Sequence, residues 1–295
     1  MQSIKKIPNG KEIVECEICL HNSKTRPMFK HAGKKIICIE CMNALKFPRN
    51  FEEMEKEVTE YLDELRIKNN KYNCILGFSG GKDSVVALYL LVNKLRIRPL
   101  CVTIDNGYLA EEAILNCKNI TKHFGVDWLV INKDFTKFFK ETISKGESPC
   151  RICSSMNMHE IWQFARQTNI NTIVTGHELP FGTTAIREMK KNIKMLRLLS
   201  VYQLTEEDRY EILKELPWKN PELGGYTTNC LVLAPALREF RKKHGFSFEF
   251  DRICAMIRYG LMDKEKAKSA LKCPEFSDDV YEELKKRGLN LKELE

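Results

Sequence analysis

Short apolar runs alternate with amphipathic stretches along the middle of the chain. The runs cover 72–78 (YNCILGF), 99–104 (PLCVTI), 127–131 (DWLVI) and 171–175 (NTIVT). Between them, over 85–95, 110–124, 135–143 and 154–168, the pattern is helical. Strand and helix in alternation predict an α/β fold, a parallel sheet with helices on both faces. Ahead of the sheet, 51–68 predicts a helix whose buried face carries Phe51, Met54, Val58, Tyr61, Leu62 and Leu65. From Glu52 to Arg66, seven acidic residues against two basic ones cover its other face, which is unsuited to nucleic acid. From about residue 200 the pattern is mostly helical. Thr205 followed by Glu206, Glu207 and Asp208 marks a helix start, and Pro217 its end. Further helices are expected over 234–244, 250–259, 264–271 and 278–287.

Between the first strand and its helix stands Ser79-Gly80-Gly81-Lys82-Asp83-Ser84. Two glycines permit a sharp turn and a close approach of ligand to backbone. The helix start adds unpaired N–H groups and a positive dipole end. With the hydroxyls of Ser79 and Ser84 and the charge of Lys82, the stretch predicts a phosphate cradle. It is not a Walker loop, because Lys82 is followed by Asp83 rather than by Ser or Thr. Two more loops follow strand ends, Asp105-Asn106-Gly107 and Gly176-His177-Glu178. Ligands of open parallel sheets bind beyond the C-terminal strand ends, so all three loops are expected at one site. Asp105 suits ribose or magnesium there, or a plain strand-end turn.

Composition narrows the class. The chain has 295 residues, 43% hydrophobic and 30% charged, as in an ordinary globular protein long enough for one large domain and a small one. No run of about 18 apolar residues predicts a membrane span. The first residues, MQSIKKIPNGKE, lack the apolar core of a signal peptide, so the chain reads as cytoplasmic. Net charge is +8, and residues 1–50 hold ten Lys/Arg against four Glu. A localised basic module suits a polyanion such as RNA, or a lysine-rich solvated surface. Two other basic groups, Arg187/Lys190/Lys191/Lys194/Arg197 and Arg238/Arg241/Lys242/Lys243, suit a phosphate backbone, a sugar diphosphate or solvated helix faces.

Twelve cysteines in such a chain argue for reduced thiols and metal ligands. Cys16-x2-Cys19 and Cys38-x2-Cys41, separated by 18 residues, have the arrangement of a four-thiolate zinc ribbon. A closed set of four leaves no open position, which makes it structural. His21 and His31, inside the ribbon, are expected as surface residues or polyanion contacts rather than extra ligands. Pro149-Cys150-Arg151-Ile152-Cys153 is expected in a loop just before a helix, where the helix end and Arg151 would lower thiol pKa values. Cys230 closes the loop Tyr226-Thr227-Thr228-Asn229-Cys230, opened by Gly224-Gly225. Cys150, Cys153 and Cys230 together suit an iron–sulfur cluster with one open iron, a zinc ion or a redox trio. Cys74 and Cys101, in the buried strands, read as small hydrophobes, Cys117 lies on a helix, and Cys254 and Cys273 read as isolated and structural.

SGGKDS after an apolar strand resembles the PP-loop of the ATP pyrophosphatase superfamily. That resemblance implies an enzyme that uses ATP with magnesium, cleaves it between the α and β phosphates and adenylates a substrate oxygen. It places ATP on Ser79, Gly80, Gly81, Lys82, Asp83 and Ser84, with Asp105, Gly176 and His177 nearby and Lys82 stabilising the leaving pyrophosphate. Gly176-His177 is similar to the pair after the fourth strand of many members. Acidic residues follow that pair in the tRNA-modifying ones, whereas only Glu178 precedes Leu179-Pro180 here. With Pro-Cys-x-x-Cys and the later single cysteine, the chain resembles iron–sulfur-dependent tRNA thiolases. This implies a four-iron, four-sulfur cluster on Cys150, Cys153 and Cys230, tRNA as partner and a sulfur donor.

The ends of the chain are similar to those of N-acetyl sugar amidotransferases. The residues are Cys16-x2-Cys19, Thr25-Arg26-Pro27, Phe29, Gly33 and Cys38-x2-Cys41, then Asp251-Arg252, Ile257-Arg258-Tyr259-Gly260, Lys264-Glu265 and Ala267. That resemblance implies ammonia transfer to a nucleotide sugar, with a partner glutaminase because no glutaminase segment is apparent. The organisation expected is a zinc ribbon over 1–50, a linking helix over 51–70, a PP-loop ATP-binding domain over 71–200 and a helical region over 201–295. No membrane contact is expected, and a homodimer is compatible with this reading.

Overall fold

A computed structural model describes residues 5–6, 12–31, 35–68, 70–223 and 227–291. Gly33, Gly224, Gly225 and Tyr226, singled out above, lie outside the described residues. The chain divides into two units, residues 1–50 with 249–272, and residues 51–248 with 273–295. The first unit opens with β1 (Lys5–Lys6), β2 (Met28–His31) and β3 (Lys35–Cys38), antiparallel neighbours in that order. Helix α1 (Ile39–Lys46) follows directly.

The second unit starts with α2 (Phe51–Ile67), which buries Met54, Val58 and Leu62 and leaves its acidic face to solvent. Then come β4 (Cys74–Gly77), α3 (Lys82–Tyr89, prolonged by a π-helical turn over Leu90–Lys94), β5 (Pro99–Asp105), α4 (Glu111–Phe124) and β6 (Trp128–Asn132). Helices α5 (Thr136–Ser144) and α6 (Pro149–Thr168) lead to β7 (Thr172–Thr175), β8 (Ile186–Glu188) and β9 (Lys194–Arg197). Helices α7 (Leu199–Tyr202), α8 (Glu206–Lys214) and α9 (Leu233–His244) follow. Of the last helices, α10 (Phe250–Arg258) and α11 (Lys264–Ala270) belong to the first unit and α12 (Asp279–Lys286) to the second. The segment from 201 onward thus contributes to both.

Six strands form one sheet in the order β6-β5-β4-β7-β9-β8, parallel except for β8 at the edge. Alternate residues serve opposite faces, as the two-residue period of a strand requires. Ile75, Leu100, Val102 and Ile173 share a core with Ile161 and Ala165 of α6. Leu76, Cys101 and Val174 face the other core, with Val58 of α2, Val85 and Leu88 of α3 and Ile120 of α4. Two elements depart from the sequence reading. The basic stretch Arg187–Arg197 holds strands β8 and β9, not a helix face; only Met195 and Leu196 of β9 are buried, too few to mark a period. Arg197 is packed as well, its guanidinium 3.9 Å from the Phe181 ring centroid and Nη1 donating to the Leu179 carbonyl at 2.9 Å.

The strand order reverses at β4, since β5 and β6 lie to one side and β7 to the other. Such a switch point leaves a crevice at the C-terminal strand ends. The loops after β4 and β7 flank it and pack closely. A Cβ on Gly176 would lie 2.7 Å from the Asp83 carbonyl oxygen. Gly80 has φ +70°, and a Cβ there would lie 1.9 Å from the Ala113 carbonyl oxygen. Gly80→Ala is therefore expected to destabilise the protein by about 2–5 kcal/mol, combining backbone strain with overpacking against α4. Urea unfolding checks this, and an unchanged midpoint would refute it.

Candidate active site and metal centre

The loop after β4 is built from its own hydroxyls. Ser84 Oγ donates to the Gly81 carbonyl at 2.9 Å and accepts from the Ser79 N–H at 3.3 Å. Asn116 Nδ2 and Trp218 Nε1 donate to the Gly80 carbonyl, at 3.3 and 3.0 Å. Gly81 is the N-cap of α3, with extended backbone. The first helical N–H, that of Lys82, donates to Thr228 Oγ1 at 2.9 Å. Thr228 belongs to the segment that carries Cys230. That segment is fixed by pairing with residues just after β5: Ala110 N–H donates to the Asn229 carbonyl at 3.0 Å, and Leu231 N–H to the Tyr108 carbonyl at 3.1 Å. A cysteine about 150 residues beyond the loop is thereby set beside it.

A cavity of about 390 Å³ opens at these strand ends. Ser79, Asp83 and Ser84 line it, as do Gly176 and His177, and so do Cys150, Cys153 and Cys230. Val102 and Ile104 of β5 give it an apolar wall. Lys82 and Asp105 are not among its lining residues. Lys82 Nζ pairs with Glu206 at 2.8 Å, and Asp105 Oδ1 accepts from the Gly107 N–H at 2.9 Å, within its own turn.

The cysteine pair departs from the sequence reading. Cys150 and Cys153 are the second and fifth residues of α6, not part of a loop ahead of it, because Pro149 occupies the first helical position where its missing N–H costs nothing. The Cys153 thiol is not lowered: burial, then the nearby Cys230, pushes it up to about 12, against the donors Asn106 and Asn157. Asn106 Nδ2 lies 3.7 Å from Cys153 Sγ and Asn157 Nδ2 3.9 Å. Burial also raises Cys230. The donor set, three soft sulfurs facing one cavity, fits an iron–sulfur cluster. Among the described residues these sulfurs are not gathered within 4.8 Å of one another, the reach used by a single ion.

Sequence reasoning missed the residue that organises the charges. Arg209 of α8 is 4% exposed. Its Nη1 donates to Asp83 Oδ1 at 2.9 Å and to Glu178, and its Nη2 to the Leu204 carbonyl at 3.0 Å. Burial pushes the Asp83 carboxyl up, and Arg209 opposes that. For Lys82, burial works against the charge, but Glu206, Asp83 and Tyr210 together outweigh it and raise the pKa. His177 Nδ1 lies 2.8 Å from Thr175 Oγ1. Its crowding in the cavity, then Arg197, lowers its pKa, which favours a neutral ring.

The first unit holds a separate centre. Sγ atoms of Cys16, Cys19, Cys38 and Cys41 lie within 4.8 Å of one another, with Cys16–Cys41 at 3.7 Å and Cys19–Cys38 at 3.6 Å. Sulfurs about 2.3 Å from a tetrahedral zinc stand about 3.8 Å apart, so the four fit that ion. N–H groups of Cys19 and Cys38 point at Cys16 Sγ, at 3.5 and 3.3 Å, and Arg258 Nε lies 3.5 Å from Cys41 Sγ. His21 is not at the surface. It is 1% exposed, edge-on to Phe250 of α10 and 3.4 Å from Asp251. Nor is Cys254 isolated, since its sulfur shares a cluster with Cys19 and His21. A partner helix more than 200 residues away left no local signal of either contact.

Residues 73–177, which run from β4 to the loop after β7, match the phosphoadenosine phosphosulfate reductase domain. The chain is 53% identical to the uncharacterized protein MJ1599 of Methanocaldococcus jannaschii, over 94% of this chain and all of that one. It is 25% identical to the tRNA-cytidine(32) 2-sulfurtransferase 2 of Francisella tularensis, over 55% of this chain and 68% of the relative. Among solved structures it is similar to the U34-tRNA thiolase NcsA of Methanococcus maripaludis with its 4Fe–4S cluster, at TM-score 0.44 and 16% identity over 90% of each chain. No helix among the described residues is long and apolar enough to cross a membrane.

Two outcomes are expected. In metal-free protein at pH 8, exposed Cys273 should react with iodoacetamide at least about tenfold faster than Cys153, measured by peptide mass spectrometry. The Cys153 rate should rise with each pH unit toward its raised pKa; equal rates at pH 8 would contradict the burial argument. Elemental analysis should find one zinc per chain, lost on Cys38→Ser together with the thermal stability of the first unit.

Proposed function

This chain belongs to the family of the Methanocaldococcus protein MJ1599 and to the PP-loop superfamily, and from that premise we propose that it adenylates a tRNA base with ATP and replaces the activated oxygen by sulfur. One observation carries the reading. Loop residues Ser79, Asp83 and Ser84 and the three cysteines Cys150, Cys153 and Cys230 line a single cavity. A phosphate cradle alone specifies how a substrate is activated. Thiols in the same cavity specify what is transferred.

In this reading the β and γ phosphates of ATP, with magnesium, occupy the 79–84 loop at the N-terminus of α3, whose dipole favours them. Lys82 exchanges Glu206 for the leaving pyrophosphate, whose charge it stabilises. The apolar wall of Val102 and Ile104 receives the adenine, and the neutral ring of His177 offers a hydrogen bond without a charge. A carbonyl oxygen of the base attacks the α phosphorus, pyrophosphate leaves, and AMP leaves when sulfur replaces that oxygen. Cys150, Cys153 and Cys230 would hold a four-iron, four-sulfur cluster, which supplies an iron free to bind the incoming sulfide. Asn106 and Asn157 hold Cys153 for that role. The tRNA assignment is supported by the name of the Francisella relative and by the basic N-terminal stretch.

A second reading, ammonia transfer to a nucleotide sugar, has its own support. The two stretches similar to N-acetyl sugar amidotransferases fold into one unit, where Arg26 Nη2 meets Asp251 Oδ1 and Oδ2 at 3.0 and 2.9 Å. Activation would be the same, and only the nucleophile would differ.

Anaerobic purification with iron, sulfide and zinc quantified separates the two. Thiolation is expected to show one zinc and about four irons per chain, the iron being lost on Cys150→Ala and the zinc retained. Zinc without iron would sink the cluster and favour nitrogen transfer. Mass spectrometry of tRNA nucleosides from a deletion strain would then show which thiolated base disappears.

A further inference from the structure

The first turn of α8 lies outside the 73–177 domain match, yet it holds both charged side chains of the 79–84 loop. Glu206 takes Lys82, and Arg209, one turn later on the same face, takes Asp83. That turn is itself fixed by a capping box. Asp208 N–H donates to Thr205 Oγ1 at 3.1 Å, and Thr205 N–H to Asp208 Oδ2 at 2.8 Å. Arg209 also reaches Glu178, on the far side of the switch point. Its Nε is buried with no partner among the described residues.

Two carboxylates at the mouth of a phosphate cradle present a conflict. Asp83 and Glu178 would repel a triphosphate and each other in a region of reduced dielectric. One buried guanidinium, donating to both, removes that conflict and joins the two loops in a single geometry. We propose that Arg209 is the positioning residue of the nucleotide site, tying Asp83 to Glu178 across the switch point and offsetting their charge so that a polyphosphate can enter. The inference deepens the ATP reading and rests on it. The weaker of the two contacts to this turn is the pair Lys82–Glu206, because its partners are 20% and 60% exposed, against 4% and 38% for Arg209 and Asp83. Nucleotide therefore displaces Glu206 from Lys82 and leaves Arg209 in place.

The test is calorimetric titration of the full chain with MgATP, using wild type, Arg209→Met, Arg209→Lys, Glu178→Gln and the double variant Glu178→Gln/Arg209→Met. Arg209→Met is expected to weaken binding by at least about tenfold, the scale of breaking a buried charge pair. Arg209→Lys, which keeps the charge but not the fork, should fall between it and wild type. The double variant should recover to within about threefold of wild type, because removing the Glu178 charge relieves what Arg209 had offset. A residue that only packs α8 would show no such recovery. Thermal unfolding of each variant confirms that it is folded, and Arg209→Lys keeps the test open if Arg209→Met is not. Wild-type affinity in folded Arg209→Met, or a double variant no better than the single one, would overturn the proposal. Wild-type protein that binds no MgATP would instead overturn the ATP reading itself.

Discussion

Everything in the candidate site depends on how closely the backbone after β4 approaches its neighbours. Gly80 turns into the left-handed region with no room for a side chain against Ala113, and Gly176 also meets Asp83 too closely for one. These contacts bring two loops from opposite sides of the switch point together. They also aim the N-terminus of α3 at the crevice. A methyl group at Gly80 would have to move α4, which buries Ala113, Cys117 and Ile120 in the core. The glycines are therefore a packing requirement as well as a ligand-binding one.

Charge is the second constraint. The loop carries one lysine and one aspartate side by side, and neither is left to water. Each is matched from α8, by a glutamate that is mostly exposed and an arginine that is nearly fully buried. Exposed ion pairs exchange partners at little cost, whereas breaking a buried one leaves an uncompensated charge. The site thus has one charge contact able to give way to a ligand and one that stays. The cysteines sit at the opposite limit. Cys153 and Cys230 are held as neutral thiols by burial, and a metal group that replaces their protons would recover the cost of that environment.

Much of the second unit was legible in the sequence. The strands 72–78, 99–104, 127–131 and 171–175 are nearly continuous apolar runs, which is what burial on both faces demands. The glycine pair and the cysteine pairs are local patterns, readable because their partners are one and three residues away. Three elements depart from the sequence reading, each for its own reason. Strands β8 and β9 are short edge elements whose polar residues hide the two-residue period. The Pro-Cys-x-x-Cys stretch reads as a loop, whereas Pro149 starts the helix. His21 looked like a surface residue because α10, which covers it, comes more than 200 residues later.

By itself, then, the sequence determined the α/β class, the turn after the first strand and the Cys-x2-Cys pairs, because each depends on period or spacing within a few residues. Only the tertiary structure decided which distant groups share the cavity. It brought Cys230 beside the loop through pairing with residues 108–110, and it set Arg209 between Asp83 and Glu178. It also joined α10 to the ribbon of the first unit. Those placements follow from the order of strands in a sheet and the packing of helices onto it, and a linear pattern carries no record of either.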